Sequence, residues 1–258
     1  MTGIKNVNTT IIEDSMKSLR KVPLILLPVF ISLFTTACVS VYQPNPVNTP
    51  LLEKEGDIKV AMMIQDGLHL QSAAAVNKNI GVMLNAGYDI SSFKKSSLSK
   101  NEKEHFLCEG GIGFFDKISE NWLWEVYTGY GFGSFNVRRD DHHFWDPSPT
   151  NADGNIGRFF IQPAIAYSTE HFVLSFALRS SYVTIFDYEA DNDFKLAKYG
   201  YFYEPALTMK VGGDKFKFVT QMGLSMARTN SVLTGWEHEP FFGGIGFEVN
   251  IGQLIKKD

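Results

Sequence analysis

Hydrophobic and polar residues alternate with a period of two along most of the chain after residue 56, and the alternation is clearest between residues 68 and 88. Two alternating runs lie in this stretch, separated by the polar triplet Asn77, Lys78 and Asn79. A period of two places successive side chains on opposite faces of a β-strand, and a short polar break between two such runs is typical of a hairpin. Asparagine suits the break because it tolerates the positive φ angles of tight turns. The stretch therefore predicts two antiparallel strands joined by a short turn.

The same unit repeats along the rest of the chain, with short turns alternating with longer polar loops. The pattern predicts about ten strands, at 57–65, 68–76, 80–88, 105–114, 122–136, 158–167, 172–187, 201–211, 216–226 and 241–251. The longer loops are predicted at 91–104, 137–155, 188–199 and 228–239. Short turns at one end and long loops at the other are the habit of outer-membrane barrels, whose turns face the periplasm. We therefore predict an all-β, up-and-down antiparallel transmembrane β-barrel of about ten strands, with eight strands as the alternative.

The charged residues of the predicted strands all occupy one phase of the alternation, which is otherwise rich in Gly, Ala and Ser. The opposite phase is apolar and aromatic, as in strand 122–136, where Trp122, Trp124 and Phe132 alternate with Glu125 and Gly131. A basic residue that faces lipid at mid-depth costs about 2–4 kcal/mol, so a membrane demands this separation. The alternative is a soluble sandwich or barrel, which would carry charges scattered freely on a solvated face. Aromatic residues near both ends of the strands, typical of interfacial girdles, favour the membrane-spanning interpretation.

The polar phase then faces the inside of a narrow barrel. Ten strands enclose little more space than eight, whose inward side chains already fill the interior. Because an unpaired buried charge is expensive, we expect the inward acids to pair with the inward bases. The predicted network consists of Glu109, Glu125, Glu204 and Glu248 with Arg158, Arg179, Lys210 and Lys217. A structural ion network that fills the barrel is the favoured interpretation, and a narrow polar path for small solutes is the alternative.

Composition narrows the class of protein further. The 258 residues are enough for one barrel and a targeting segment. The chain has no apolar run of twenty residues, which excludes a bundle of membrane-spanning helices. Residues 1–37 carry four of the 24 basic and two of the 28 acidic residues, so the remainder has a net charge of −6. Nothing in that remainder indicates nucleic acid, and we expect neither a cofactor nor a metal site.

The first 37 residues have the features of an export signal. Basic residues at 17, 20 and 21 precede an apolar run at 22–34, and small residues lead from Thr35 to Cys38. The segment resembles a bacterial lipoprotein signal, in which the cysteine becomes the lipid-modified first residue. Such signals usually carry Leu where this chain has Thr35. Cleavage near Ala37 with an incidental Cys38 is one alternative, and an uncleaved anchor is disfavoured because the apolar run is short for a span. Met16 offers an alternative start, which would leave residues 1–15 outside the protein.

Residues 38–55 lack the alternation and are rich in Pro and Asn. Their prolines, Pro44, Pro46 and Pro50, predict an extended polyproline linker that separates a lipid on Cys38 from the folded barrel at 56–252 and its tail at 253–258. An even number of strands places both ends of the barrel at the periplasmic side, so we expect this lipid in the inner leaflet. With Cys38 lipidated, Cys108 is the one remaining cysteine and no intramolecular disulfide forms.

Two stretches carry resemblances to known proteins. Residues 42–55 resemble the lead-in of lipoprotein-tagged barrels of the Bacteroidota, and residues 56–252 resemble the small outer-membrane β-barrel superfamily by their pattern. The resemblance implies an exported chain in the outer membrane, in contact with outer-membrane lipid and anchored by its own lipid.

Candidate chemistry is sparse. Asp140, Asp141, His142 and His143 lie together in loop 137–155 and have the groups for metal binding or acid–base catalysis, as in barrel proteases of the omptin kind. A solvated loop is the favoured interpretation, since no second His or Asp pair recurs in another loop at matching height. A Ser–His–acid arrangement would require folding to bring a serine and a histidine together. The residues available for it are Ser180, Ser181, His69 and His105.

The predicted function is therefore a structural, adhesive or loop-display role without catalysis. Trp145 and Trp236 lie in predicted loops, the former near Phe144 and Pro147, and are candidates for contact with a surface carbohydrate or a protein ligand. A narrow channel or hydrophobic-solute conduit is the alternative, and a membrane-embedded hydrolase is the third interpretation.

Overall fold

A computed structural model describes residues 42–96, 99–138, 151–190, 199–228 and 240–252. This part of the chain forms ten antiparallel strands, one of which is interrupted at Ser225. The strands are β1 (Ile58–Ile64), β2 (Gly67–Ala75), β3 (Ile80–Ser96), β4 (Ser99–Lys117), β5 (Trp122–Arg138), β6 (Asn151–Ser168), β7 (Phe172–Ala190), β8 (Tyr199–Gly212), β9 (Phe216–Leu224 and Met226–Arg228) and β10 (Phe241–Asn250). The described residues contain no helix long and apolar enough to cross a membrane.

The ten strands close into one barrel. Each strand pairs with its neighbours along the chain, and β1 pairs with β10, with Met62 opposite Phe247. Closure leaves no unpaired sheet edge, so every strand finds its backbone partners within the barrel, as a lipid environment requires. The predicted up-and-down barrel of ten strands is confirmed, and the eight-stranded alternative is wrong.

The barrel is apolar outside and charged inside. Large hydrophobic side chains on every strand are exposed on its outer surface, whereas Arg158, Arg179 and Glu204 are buried within it. On β3 the exposed apolar positions run from Ile80 to Ile90, which at a typical rise and tilt gives a band about 23 Å high. A continuous exposed apolar band of this height around a closed barrel is the lipid-facing surface of a membrane-spanning barrel. The barrel is therefore a transmembrane β-barrel, with its short turns at one end and its long connections at the other.

Several strands continue further at the loop end than the sequence predicts. The predicted loop 91–104 is largely strand, since β3 extends to Ser96 and β4 begins at Ser99. Similarly, β5, β6 and β7 reach Arg138, Asn151 and Ala190. Outside the lipid the outer face of a strand meets water and carries polar residues such as Arg138, so no apolar outer face marks these extensions in the sequence. The wall is consequently tall along β3–β7 and low along β9, β10, β1 and β2.

The second difference concerns the predicted linker. Residues 42–52, here named the luminal segment, are all buried, and they lie inside the barrel. The expectation of a spacer outside the folded barrel is therefore wrong for this stretch. Its prolines and amides are compatible with an extended chain in water or in a polar lumen, and composition alone does not distinguish the two environments.

Closure of the barrel leads to a first prediction. We expect the full-length protein to change electrophoretic mobility when it is heated in detergent, because unheated detergent does not break a continuous, internally paired sheet. Carbonate extraction is expected to leave the protein in washed outer membranes. A sample denatured in urea and not refolded serves as the control. One mobility under all conditions, together with release by carbonate, would contradict a closed membrane barrel.

Candidate functional site

The luminal segment runs the length of the barrel interior. At the loop end, Gln43 Nε2 donates to Asp66 Oδ2 at 2.9 Å, and Gln65 Nε2 donates to the Pro44 carbonyl at 3.0 Å, both at the turn between β1 and β2. At the turn end, Lys117 Nζ, in the last position of β4, lies 2.7 Å from Glu53 Oε2. The chain thus enters β1 only after it has passed through the lumen from the loop end to the turn end.

The barrel wall holds this segment mainly by its backbone. Seven of its carbonyl groups accept hydrogen bonds from inward wall side chains, at 2.6–3.0 Å. The donor and acceptor pairs are Gln65 to Pro44, Arg179 to Asn45, Gln71 to Pro46, Gln221 to Val47, Gln162 to Asn48, Lys210 to Thr49 and Lys59 to Leu51. Extended chain without internal hydrogen bonds leaves its carbonyls free for such contacts. Buried backbone groups need partners, and here the wall provides them.

The three prolines ease this burial because each removes one backbone donor that would otherwise need a partner. Two of the remaining N–H groups have precise acceptors. The Val47 amide donates to Gln221 Oε1 at 2.7 Å, and the Leu51 amide donates to Glu125 Oε2 at 2.8 Å. Gln221 therefore both donates to and accepts from Val47, as a neighbouring strand would.

The outer half of the lumen contains an ion cluster of four wall residues. Arg158 forms an ion pair with Glu109, and Arg179 Nε lies 2.6 Å from Glu204 Oε2. Arg179 also approaches Glu109 at 3.8 Å, which joins the two pairs. All four side chains are almost fully buried, so their charges depend on one another for compensation.

Strand register explains which charges meet. Arg179 and Glu204 are direct partners across β7 and β8. Glu109 and Arg158 lie on β4 and β6, and Gly131 of β5 is opposite both of them. A side chain at Gly131 would begin 3.0 Å from Glu109 Cβ. The glycine therefore leaves the space through which Arg158 reaches Glu109.

Tyr42 of the luminal segment joins this cluster. Its hydroxyl donates to Glu204 Oε1 at 2.8 Å and accepts from Arg158 Nη1 at 2.8 Å. Its ring packs against Phe202, with the ring centroids 4.2 Å apart. The alternation in the sequence predicts the wall charges but not the place of Tyr42, because a tyrosine occurs both in linkers and in buried positions.

The inner half of the lumen contains a second charged group. Lys210 Nζ contacts Glu248 Oε2 at 2.5 Å and the Thr49 carbonyl at 2.7 Å. Glu125 meets no base at ion-pair distance among the described residues and instead accepts the Leu51 amide. Lys217, a register partner of Glu248, extends to the Glu170 and Gly213 carbonyls at the turn end. The structure thus brings most of the predicted network together. The luminal segment contacts it through its backbone at Arg179, Lys210 and Glu125, and through the Tyr42 hydroxyl at Arg158 and Glu204.

Apolar contacts fill the space between the polar layers. Val47 packs against Ala164, Ala177, Ala206 and Phe242, and Leu51 packs against Ala166 and Val173. Leu52 packs among Tyr127, Phe115, Phe160 and other buried residues. Small inward residues on the wall leave the room that these side chains occupy.

The close packing of Leu52 against the wall can be tested at Gly81. A Cβ at Gly81 would lie 2.5 Å from Tyr127 Oη and 2.7 Å from Leu52 Cδ1. We expect Gly81→Val to destabilise the folded barrel by about 1–3 kcal/mol through overpacking, measured as the urea midpoint of the heat-modifiable form. Gly110→Val is the matched control, because the nearest atom to a Cβ there is 3.8 Å away. Equal midpoints for the two variants would contradict the close packing of Leu52 in the lumen.

The turn-end mouth fixes the end of the segment. The backbone amides of Glu53 and Lys54 both donate to Asp57 Oδ2, at 3.0 and 3.1 Å. Burial acts to raise the pKa of Glu53, but the hydrogen bond from Lys117 and the positive charges of Lys59 and Lys117 outweigh it and hold the pKa below its usual range. The chain is therefore tied to the wall where it turns into β1.

The described residues line a cleft at each end of the barrel. The turn-end cleft has a volume of about 400 Å³ and is lined by both basic and acidic residues, including Lys59 and Glu248. The loop-end cleft has a volume of about 490 Å³ and is predominantly acidic, with Glu104, Asp153 and Glu189 in its lining. The luminal segment lies between the two ends.

The candidate catalytic residues are dispersed. His69 Nε2 lies 2.9 Å from Asp89 Oδ1, with both side chains buried at the loop end. Ser181 Oγ is 3.3 Å from Glu204 Oε2 inside the barrel, whereas Ser180 lies in the outward phase of the same strand. Residues 140–143 and the loop tryptophans at 145 and 236 lie outside the described residues. In the described part of the chain, no group of three or more His, Cys, Asp or Glu is placed to hold a metal ion.

No protein-family model matches this chain, and no curated protein matches it. Among solved structures, it is similar to the translocator domain of the autotransporter NalP from Neisseria meningitidis, with 10% identity and a TM-score of 0.43 over 76% of this chain and 90% of that one. It is also similar to the outer membrane protein OprG from Pseudomonas aeruginosa, with 15% identity and a TM-score of 0.36 over 76% and 96%. The attachment invasion locus protein Ail of Yersinia pestis follows with 12% identity and a TM-score of 0.30 over 74% and 93%.

The strand pairing and the surface of the barrel itself define its class. The sheet is closed, its exterior is an apolar band, and its charges face inward. These are the features of an outer-membrane β-barrel.

Proposed function

We propose that this protein is a sealed, non-catalytic outer-membrane barrel with a structural or adhesive role at the cell surface. The observation that carries this proposal is the luminal segment, whose residues 42–52 are buried along the lumen. Wall side chains that would contact ions in a channel donate instead to the segment's backbone, as Lys210 does to Thr49 and Arg179 to Asn45. A solute would have to displace these contacts at every level of the lumen.

The tall side of the wall provides the surface for display. Strands β3 to β7 continue beyond the apolar band at the loop end, so their outer ends project into water. The acidic loop-end cleft lies on this side, with Asp153, Asp187 and Glu189 in its lining. The loops that contain Trp145 and Trp236 are candidates for contact with a carbohydrate or protein ligand. A rigid barrel that holds such loops supports an adhesive role better than a transport role.

The non-catalytic part of the proposal has its own test. A membrane-embedded hydrolase would use the histidines at 142 and 143, and its lipid or ester hydrolysis would be lost in His142→Ala or His143→Ala. We expect the intact protein to hydrolyse neither phospholipid nor short-chain nitrophenyl esters. Hydrolysis that disappears in either variant would overturn this part of the proposal and favour the hydrolase interpretation.

Conductance tests the sealed lumen. Purified full-length protein in a planar bilayer is expected to produce no stepwise current, while a porin added to the same bilayer shows that insertion is detectable. Steps from the intact protein would favour the narrow channel.

Adhesion is tested separately with cells that express the protein, on surfaces coated with glycans or matrix proteins. Replacement of 139–150 and 229–239 by Gly/Ser loops of equal length should abolish any gain in adhesion, and no gain for the intact protein would leave the structural role alone.

We further propose that the export signal ends in lipid attachment at Cys38. In this reaction the Cys38 thiol displaces the phosphorylated headgroup from a glycerol carbon of a phospholipid. A C–S bond forms, a C–O bond breaks and the thiol proton leaves with the phosphate, so no oxidant is needed. Two acyl chains together provide stable membrane anchoring. Mass spectrometry of the amino-terminal peptide tests this step, with Cys38→Ser as the unmodified control.

A further inference from the structure

The amino-terminal end of the luminal segment lies at the loop end of the barrel. Tyr42 packs with Phe135, Val137 and Ile185, which belong to the outer ends of β5 and β7. Gln43 contacts Asp66 at the turn between β1 and β2. The chain that precedes Tyr42 therefore leaves the described structure on the side of the long loops and not on the side of the short turns.

Chain length limits where Cys38 can be. Four residue steps separate Cys38 from Tyr42, and a fully extended chain spans at most about 14 Å over that length. The apolar band is about 23 Å high, so Cys38 cannot return to the turn end. The lumen offers no second route, because the segment itself fills it between the wall side chains. An inner-leaflet anchor is therefore incompatible with the observed path of the chain.

The low side of the wall brings the outer edge of the lipid within reach. Strands β1, β2 and β10 end at the loop end at Ile64, Gly67 and Phe241. The outward side chains there, Ile64, Leu68 and Phe241, are exposed and apolar, so the band extends nearly to this rim. The contact between Gln43 and Asp66 places the segment beside the same rim.

We propose that the lipid on Cys38 is held in the outer leaflet, beside the turn between β1 and β2, and that the chain reaches it through the lumen of its own barrel. The inference rests on the proposed lipid at Cys38. Burial of acyl chains contributes about 0.8 kcal/mol per CH₂ group, so two chains do not stay in water when hydrocarbon is within reach. The hydrocarbon nearest to the amino-terminal end of the luminal segment is the outer leaflet at the low rim, beside the contact between Gln43 and Asp66.

A lipid in the outer leaflet limits the order in which the barrel can assemble. Two acyl chains cannot be drawn through a lumen that is already packed with wall side chains and the segment. The strands must therefore close around the segment while the lipid is already on the outer side. The segment then ties the barrel to the outer leaflet from within.

The test uses intact cells and one epitope in three places. The epitope, flanked by Gly/Ser, is inserted between Ser40 and Val41, in the turn at Glu120 as a turn-end control, or after Pro147 as a loop-end control. We expect antibody to label the amino-terminal insertion on intact cells as strongly as the Pro147 insertion. The Glu120 insertion is expected to be labelled only after permeabilisation.

Mass spectrometry of the same strains separates the two proposals. A lipidated amino terminus with its epitope exposed supports both. A lipidated amino terminus whose epitope requires permeabilisation overturns the outer-leaflet placement and leaves the lipid in place. An exposed epitope without lipid overturns the lipid proposal, and the anchor with it. If the Pro147 insertion is labelled on intact cells and the lipidated amino-terminal insertion is not, the amino terminus lies on the periplasmic side and the outer-leaflet placement is wrong.

Discussion

Arg158→Met is expected to destabilise the folded barrel by about 3–5 kcal/mol, the cost of removing one partner of a buried ion pair. Arg158 is fully buried, pairs with Glu109 and donates to the Tyr42 hydroxyl. Its loss leaves Glu109 with Asn85 and the more distant Arg179. The same change also removes the wall donor that holds the Tyr42 hydroxyl, so the outer end of the luminal segment should become accessible to protease.

The measurement is urea unfolding of the detergent-folded protein, followed by the mobility shift on heating. Lys217→Met is the matched control, because Lys217 contacts carbonyl groups at the turn end and not a buried acid. A double variant, Arg158→Met with Glu109→Gln, should recover much of the loss, since it removes the unpaired charge. Equal unfolding midpoints for Arg158→Met and Lys217→Met would show that the outer cluster contributes nothing specific.

The barrel itself could be predicted because lipid imposes a strict pattern on the sequence. Inside the band, one face of each strand meets hydrocarbon and the other meets the lumen, and the alternation records both. Beyond the band this contrast ends, so the extension of β3 and β4 through residues 91–104 could not be recognised. The pattern therefore indicates where the membrane is more reliably than where a strand ends.

The set of inward charges could also be predicted, but not their partners. Phase assigns Arg158 and Glu109 to the inside, whereas their meeting depends on the register of three strands and on Gly131 between them. The alternation likewise predicts that Glu125 faces inward, but it does not indicate that Glu125 differs from the other inward acids in its partner. Its acceptor role toward the Leu51 amide appears only when the segment is placed in the lumen.

The luminal segment was misplaced although the sequence contains two signals for it. Residues 42–52 carry no charged side chain, which is unusual for a solvated linker beside a membrane. The inward phase also contains amide side chains, Gln71, Asn85, Gln162 and Gln221, which can both donate and accept. Where such groups line a lumen that holds no water-filled pore, they need hydrogen-bond partners inside the barrel. Here the chain's own luminal segment provides them.

A barrel that begins at Gly56, exported by an unrelated signal peptide, is expected to conduct ions. Removal of the segment empties the axis of the lumen and exposes wall groups such as Lys210, Gln221 and Arg179 to water. We expect stepwise current in planar bilayers where the full-length protein is silent. We also expect lower stability, since each lost hydrogen bond contributes about 0.5–1.5 kcal/mol net.

Add-back of the missing residues makes this result specific. A synthetic peptide of residues 42–55 should enter from the open ends, regain the backbone contacts and reduce the current. A peptide of the same composition in scrambled order is the control, because it shifts the prolines and presents N–H groups where the wall has no acceptors. A silent truncated barrel that remains folded would mean that the wall side chains collapse and fill the interior, as in narrower barrels. The current therefore distinguishes a wall that is complete in itself from one that encloses a space for one extended chain.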